Sequence, residues 1–239
     1  VKRLAREAKV WSQLNHPNVL PFLGLYTLSS ISYLVSPWME NGHALEFVQR
    51  YPEADCLRLL AQVASGLRYL HEFKPEQVIH GDLRGPNILI SRSGDACIAD
   101  FGLSELKADA SNPQAYSTEW IMAGHPRWQA PEILKAETKE EARRNTTTDV
   151  FAFGRVMLEL FTGQFPFSYI QRDSMVTFRV MSGEVPLRPS RGEFVVRGLD
   201  DNMWDLMMDS WDETPAQRPS AADLVTRLTV ALESRVVAV

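Results

Sequence analysis

The sequence predicts an α+β fold in which the helical part dominates. Three observations carry this: one amphipathic stripe followed by two strand-like runs opens the chain, helical periodicity fills most of the remainder, and residues 150–161 are apolar nearly all round. A helix of that last kind must be buried on every side, so it marks the core of the larger part of the molecule.

Residues 3–14 read as a helix, because Leu4, Glu7, Ala8, Trp11 and Leu14 recur at spacings of three and four. Pro17, in His16-Pro17-Asn18, ends it by lacking an N–H and disfavouring helix at His16. Strand-like runs follow at Val19 to Tyr26 and Ile31 to Val35, separated by Ser29-Ser30. After Asn41-Gly42 the pattern turns helical. Leu57, Leu60, Ala61, Ala64, Leu67 and His71 make a second stripe, which Lys74-Pro75 closes. Residues 78–102 are short apolar runs broken by Gly, Asp and Pro, the kind of region where functional residues sit on a rigid scaffold. Residues 103–128 form a long polar loop, expected to be functional or mobile. The apolar helix from Val150 to Phe161 ends at Gly163 and Pro166, and two further helices are expected near 201–211 and 219–233.

Bulk composition suits one globular unit: 239 residues, 45% hydrophobic and 23% charged. A net charge of −5 without clustered Lys and Arg argues against nucleic acid as a partner. No apolar run is long enough to cross a bilayer and no signal-peptide pattern opens the chain. Cys56 and Cys97 lack CxxC spacing and are expected to be reduced and buried, as in a cytoplasmic protein. The histidines are scattered without metal-ligand spacing.

The chemistry-bearing segment is His80-Gly81-Asp82-Leu83-Arg84-Gly85-Pro86-Asn87, followed by Asp100-Phe101-Gly102. Two carboxylates and a carboxamide around short apolar runs are what phosphoryl transfer requires. One carboxylate orients the attacking hydroxyl and accepts its proton; the other oxygens suit Mg²⁺, a hard cation. Such catalysis is mostly positioning and electrostatics.

These segments resemble the catalytic loop H-R-D-L-x-x-x-N and the D-F-G motif of eukaryotic protein kinases. Ala130-Pro131-Glu132 resembles A-P-E, Asp149-Val150-Phe151-Ala152-Phe153-Gly154 the start of the large lobe's central helix, and Arg218 the late arginine that pairs with that glutamate. Glu7 resembles the helix-C glutamate. Motifs in this order cover essentially the whole chain, and the resemblance is to the tyrosine-kinase-like group, with H-G-D-L similar to fungal members.

The resemblance implies a protein-kinase-like fold. Residues 1–40 would form a partial small lobe, from helix C to the hinge, and residues 41–239 the large lobe. It implies ATP and Mg²⁺ as cofactors and a protein substrate, with a Ser/Thr hydroxyl expected and Tyr as the alternative acceptor. Asp82 matches the catalytic base and Asn87 and Asp100 the Mg²⁺ ligands; Arg84 stands where a lysine usually meets the γ-phosphate. Pro37 and Met39 match the hinge that reads adenine, Ser36 the gatekeeper beside it, and Leu89 the apolar floor. Trp11, Phe22, His80 and Phe101 match a hydrophobic spine, and Asp149 the anchor of the catalytic loop.

The pattern departs at four places. Gly81 replaces the arginine of H-R-D, so no cation is expected there to pair with a phosphorylated loop. Arg84 replaces Lys, and His125 stands in Gly124-His125-Pro126-Arg127-Trp128 where a Thr normally touches the catalytic Asp. No Gly-rich loop or V-A-I-K strand is present, since Lys2 lies within the helix that carries Glu7. These residues by themselves are therefore expected to bind ATP weakly. A pseudokinase scaffold is the alternative reading. Ser104, Ser111, Tyr116, Ser117 and Thr118 are expected to be exposed polar loop rather than phosphosites.

Overall fold

The computed structural model describes residues 2–106, 124–189, 192, 194 and 197–237. Helix α1 (Lys2–Trp11) buries Ala8, Val10 and Trp11 on one face, and Leu14 continues that stripe past its end. The Trp11 indole N–H donates to Leu20 O at 2.5 Å, tying the helix to the segment that follows. That segment is not the strand its sequence suggests. Pro21 cannot donate to a ladder; Val19 instead bridges Ile98, and Leu20 N–H donates to Ile98 O. The first strand, β1 (Gly24–Leu28), therefore starts late and pairs antiparallel with β2 (Ile31–Val35), Leu28 opposite Ile31. Ser29 and Ser30 both adopt positive φ (48° and 67°), the two-residue turn whose twist matches a hairpin.

Helix α2 (Ala44–Arg50) starts where the His43 ring accepts from Glu46 N–H, and α3 (Cys56–Glu72) where the Asp55 carboxylate accepts from Arg58 N–H. α3 buries more than the expected stripe, adding Leu59, Val63, Gly66 and Leu70 to it. Short strands follow: β3 (Val78–Ile79), β4 (Ile88–Ile90), β5 (Ala96–Ile98) and β6 (Glu105–Leu106), paired antiparallel as β3–β6 and β4–β5. One turn, α4 (Pro131–Leu134), precedes α5 (Thr146–Thr162), whose residues from Thr148 to Phe161 are all buried. Asn145 opens α5 with a capping box: its Oδ1 accepts from the N–H groups of Thr147 and Thr148, and Thr148 Oγ1 accepts from Asn145 N–H. Helices α6 (Asp173–Met181), α7 (Asp201–Ser210) and α8 (Ala221–Val237) complete the helical part, with α8 lying along α3 and α7 against α5.

Among the described residues no helix is long and apolar enough to cross a membrane. Both cysteines are buried free thiols, and burial pushes Cys97 up and Cys56 up to about 11.

Candidate active site

The β4–β5 hairpin assembles the site. Asn87 immediately precedes β4 and Asp100 follows β5, so antiparallel pairing of Ile88 with Ile98 brings both residues to the same end of the hairpin. The next rung continues the pairing, Ala99 N–H donating to Asn87 O at 2.9 Å. Asn87 is buried, and its amide Nδ2 donates to Asp82 twice, to the backbone O at 2.8 Å and to Oδ2 at 3.0 Å. The donor half of the carboxamide is thereby committed to Asp82. Among the described residues no hydrogen bond takes Asn87 Oδ1, which leaves an acceptor oxygen for a cation. Asp100 is exposed at φ 63°, with Oδ1 accepting from Gly102 N–H at 3.2 Å. Two oxygen donors, an amide and a carboxylate, suit Mg²⁺ by type, whereas no cluster of three His, Cys, Asp or Glu exists among the described residues to hold a softer metal.

Arg84 Nε lies 3.5 Å from Asp82 Oδ2, an ion-pair contact without hydrogen-bond geometry. The arginine therefore sits beside the carboxylate without being locked to it.

Asp149, near the start of α5, holds the loop that carries Asp82. Its carboxylate accepts from His80 N–H (2.9 Å), Gly81 N–H (2.8 Å) and His71 Nε2 (2.9 Å). Burial alone would raise the Asp149 carboxyl. The His71 hydrogen bond, the His71 and His80 charges and the Gly81 N–H outweigh it and hold the group below the ordinary aspartate range. Glu159, two helical turns along α5 from Phe151, fixes the other end of the loop: Oε2 accepts from Gly85 N–H at 2.8 Å and from the Trp128 indole at 3.0 Å. A Cβ at residue 85 would lie 2.6 Å from this carboxylate, so only glycine permits the approach. Burial pushes Glu159 up to about 7.

The aromatic stack expected between the two parts of the chain is present. Trp11 packs on Phe22 at 5.2 Å and on Phe101 at 5.9 Å, and Phe101 meets His80 edge-on at 5.5 Å. His80 Nε2 also contacts Ala99 O at 3.0 Å. Ser36, Pro37, Met39 and Leu89 are half-buried, and the His43–Leu89 bridge sets Leu89 against the segment after Met39. Trp38, between Pro37 and Met39, projects into solvent with 84% of its surface exposed. Glu7 is half-buried on α1. His125 is half-buried, edge-on to Trp128 at 5.0 Å and 3.7 Å from Asp173, and burial lowers its pKa.

Sequence reasoning missed several supports. His71 looks like one more member of the α3 stripe, yet it bonds Asp149. Arg127 is buried and donates to Pro166 O, Phe167 O, Ile170 O and Asp173, fixing the loop before α6. Ser104, expected to be exposed, is 1% exposed and donates to His80 O at 3.0 Å, because β6 draws it under the catalytic loop. Ser111, Tyr116, Ser117 and Thr118 lie outside the described residues. The glutamate-arginine pair joins as expected: Arg218 meets Glu132 with two parallel bonds, 2.6 and 2.9 Å.

The family model for protein tyrosine and serine/threonine kinases matches residues 1–228. This chain belongs to that kinase family. Among its relatives, Serine/threonine-protein kinase 12 of Arabidopsis thaliana is 30% identical over 95% of this chain and 47% of its own length. Serine/threonine-protein kinase CTR1 of Arabidopsis thaliana is 28% identical over 99% of this chain and 27% of its own. Mitogen-activated protein kinase kinase kinase 13-A of Xenopus laevis is 30% identical over 92% and 21%. These relatives agree with the tyrosine-kinase-like group. The kinase domain described here spans less than half the length of each of them.

Proposed function

We propose that this kinase domain transfers the γ-phosphate of ATP to a serine or threonine hydroxyl of a protein substrate. The observation that carries the reading is the junction of Asp82 and Asn87 at the hairpin end that also bears Asp100. The relatives, named as serine/threonine kinases, favour Ser/Thr over Tyr.

Asp82 orients the acceptor hydroxyl and takes its proton as the oxygen attacks the γ-phosphorus and the bond from that phosphorus to the β–γ bridging oxygen breaks, releasing ADP. The Asn87 amide holds Asp82 Oδ2 from one side, so the carboxylate is aimed before substrate arrives. Arg84, with charge adjoining Asp82, meets the γ-phosphate oxygens, and its planar fork can take two of them. Asn87 Oδ1 and the Asp100 carboxylate would hold Mg²⁺, which neutralises charge on the transferring group when bound. Ser36, Pro37, Met39 and Leu89 would contact the adenine, and Glu7 would meet a phosphate-clamping lysine. Residues 1–40 then act as part of the small lobe and 41–239 as the large lobe. The two buried free thiols fit a reducing compartment, so we place the protein in the cytoplasm.

The pseudokinase alternative is not favoured, because Asp82, Asn87 and Asp100 are all present in the family's motif positions. The test is phosphate transfer from labelled ATP to a generic protein by the whole protein with Mg²⁺, followed by phosphoamino-acid analysis. Label on serine or threonine supports the reading. Transfer unchanged by Asp82→Asn would remove the base from Asp82.

A further inference from the structure

Gly81 leaves the catalytic loop without the arginine that the motif H-R-D carries, yet the space beside it is full. Gly81 adopts φ +80°, and a Cβ built there would lie 2.7 Å from Arg144 Cδ and 2.9 Å from Leu103 O. Arg144 Nε lies 3.6 Å from the same point. The Arg144 side chain is thus laid against Gly81 and is only 4% exposed. Its far end reaches the segment before A-P-E: a Cβ at Gly124 would sit 3.5 Å from Arg144 Nη2. Arg144 also lines a small cavity with Gly81, Asp82, His125 and Asp149, which are the base, its anchor and the histidine of the substrate-side loop. One guanidinium therefore runs from the catalytic loop to the Gly124 turn. It comes from the residue just before Asn145, the cap that opens α5.

We propose that Arg144 supplies from the entrance of α5 the guanidinium that the catalytic loop lacks at Gly81, and that it is a positioning residue holding the Asp82 loop against the Gly124 turn. The two positions form a reciprocal pair. A glycine at 81 makes room for an arginine at 144, and a larger residue at 81 and Arg144 exclude each other. The inference rests on the kinase reading for its effect on rate, but not for the packing.

A double-mutant cycle in the whole protein tests it, read by thermal unfolding and by phosphate transfer. The variants are Arg144→Ala, Arg144→Lys, Gly81→Arg and Gly81→Arg with Arg144→Ala; Gly81→Ala replaces Gly81→Arg if the latter does not fold. The left-handed backbone strain of replacing Gly81 is present in both backgrounds and cancels from the cycle. We expect Gly81→Arg to lower Tm more in the parent than in the Arg144→Ala background. In the latter it should restore part of the lost rate. Arg144→Ala should lower kcat about tenfold or more with the KM for ATP changed less than about twofold, and Arg144→Lys should fall between. Equal Tm loss in both backgrounds, or kcat within about twofold of the parent in Arg144→Ala, overturns the proposal. If the parent transfers no phosphate, the kinase reading fails while the Tm cycle still decides whether 81 and 144 share one space.

Discussion

At the scale of single residues, the site depends on oxygen and nitrogen atoms committed to one another before any ligand binds. Asp82→Asn would remove the proposed proton acceptor and is expected to lower kcat by about 10³-fold or more, with Tm within a few degrees of the parent, as read by steady-state transfer and calorimetry. Asp149→Asn keeps the shape but weakens three donors' hold on one carboxylate; expect a loss in both rate and Tm, since the group is buried and anchors the loop. Glu159 carries a pH signature. Its folded pKa, about 7, exceeds its unfolded value of 4.5, so its stabilising contribution is complete below pH 4.5 and is lost as pH rises through 7. The Tm of the parent relative to Glu159→Gln should therefore decline between those pH values, and a flat difference would show that burial is offset by the Gly85 and Trp128 bonds.

Elements explain how those atoms are aimed. Helix α5 is the platform. It carries Asp149 and Glu159 to opposite ends of the catalytic loop, buries both, and is itself surrounded. Two arginines, Arg155 on this helix and Arg218 packed against its first turns, contrast in chemistry. Arg218, with a fully buried side chain, meets Glu132 in a two-bond pair, and Arg218→Met should cost about 3–5 kcal/mol by leaving a carboxylate without its partner. Arg155, 1% exposed, packs its guanidinium on Phe151, Phe167 and Trp211 at 4.5–5.0 Å, while its Nε and Nη1 have no hydrogen-bond partner among the described residues. The three ring faces offset the desolvation of the charge, and Arg155→Met should change stability by no more than about 1 kcal/mol, measured by urea unfolding.

For the whole molecule, the described β1–β2 hairpin is the conspicuous liability. Leu25, Leu28, Ile31 and Tyr33 are each about half exposed on a two-stranded sheet, a surface of the kind that self-associates or receives another segment. The domain expressed by itself should show concentration-dependent association by light scattering, and Leu25→Lys with Ile31→Lys should lower it without changing the helical signal.

The sequence by itself determined the fold class, the central buried helix and the catalytic motifs, because each rests on local order: a period, a cap or a contiguous run of residue types; the aromatic stack, whose members lie up to 90 residues apart, followed from the family resemblance. The sequence fell short at Val19–Leu20, where Pro21 delays the strand, and at α6, whose Met175, Phe178 and Met181 face out and leave only Val176 and Val180 as a buried stripe. Only the tertiary structure decided that His71 serves Asp149, that Ser104 lies beneath His80, and that Arg144 fills the space left at Gly81. Those partners are distant along the chain, and a residue's type states which bonds it can make, whereas packing alone states which partner is within reach.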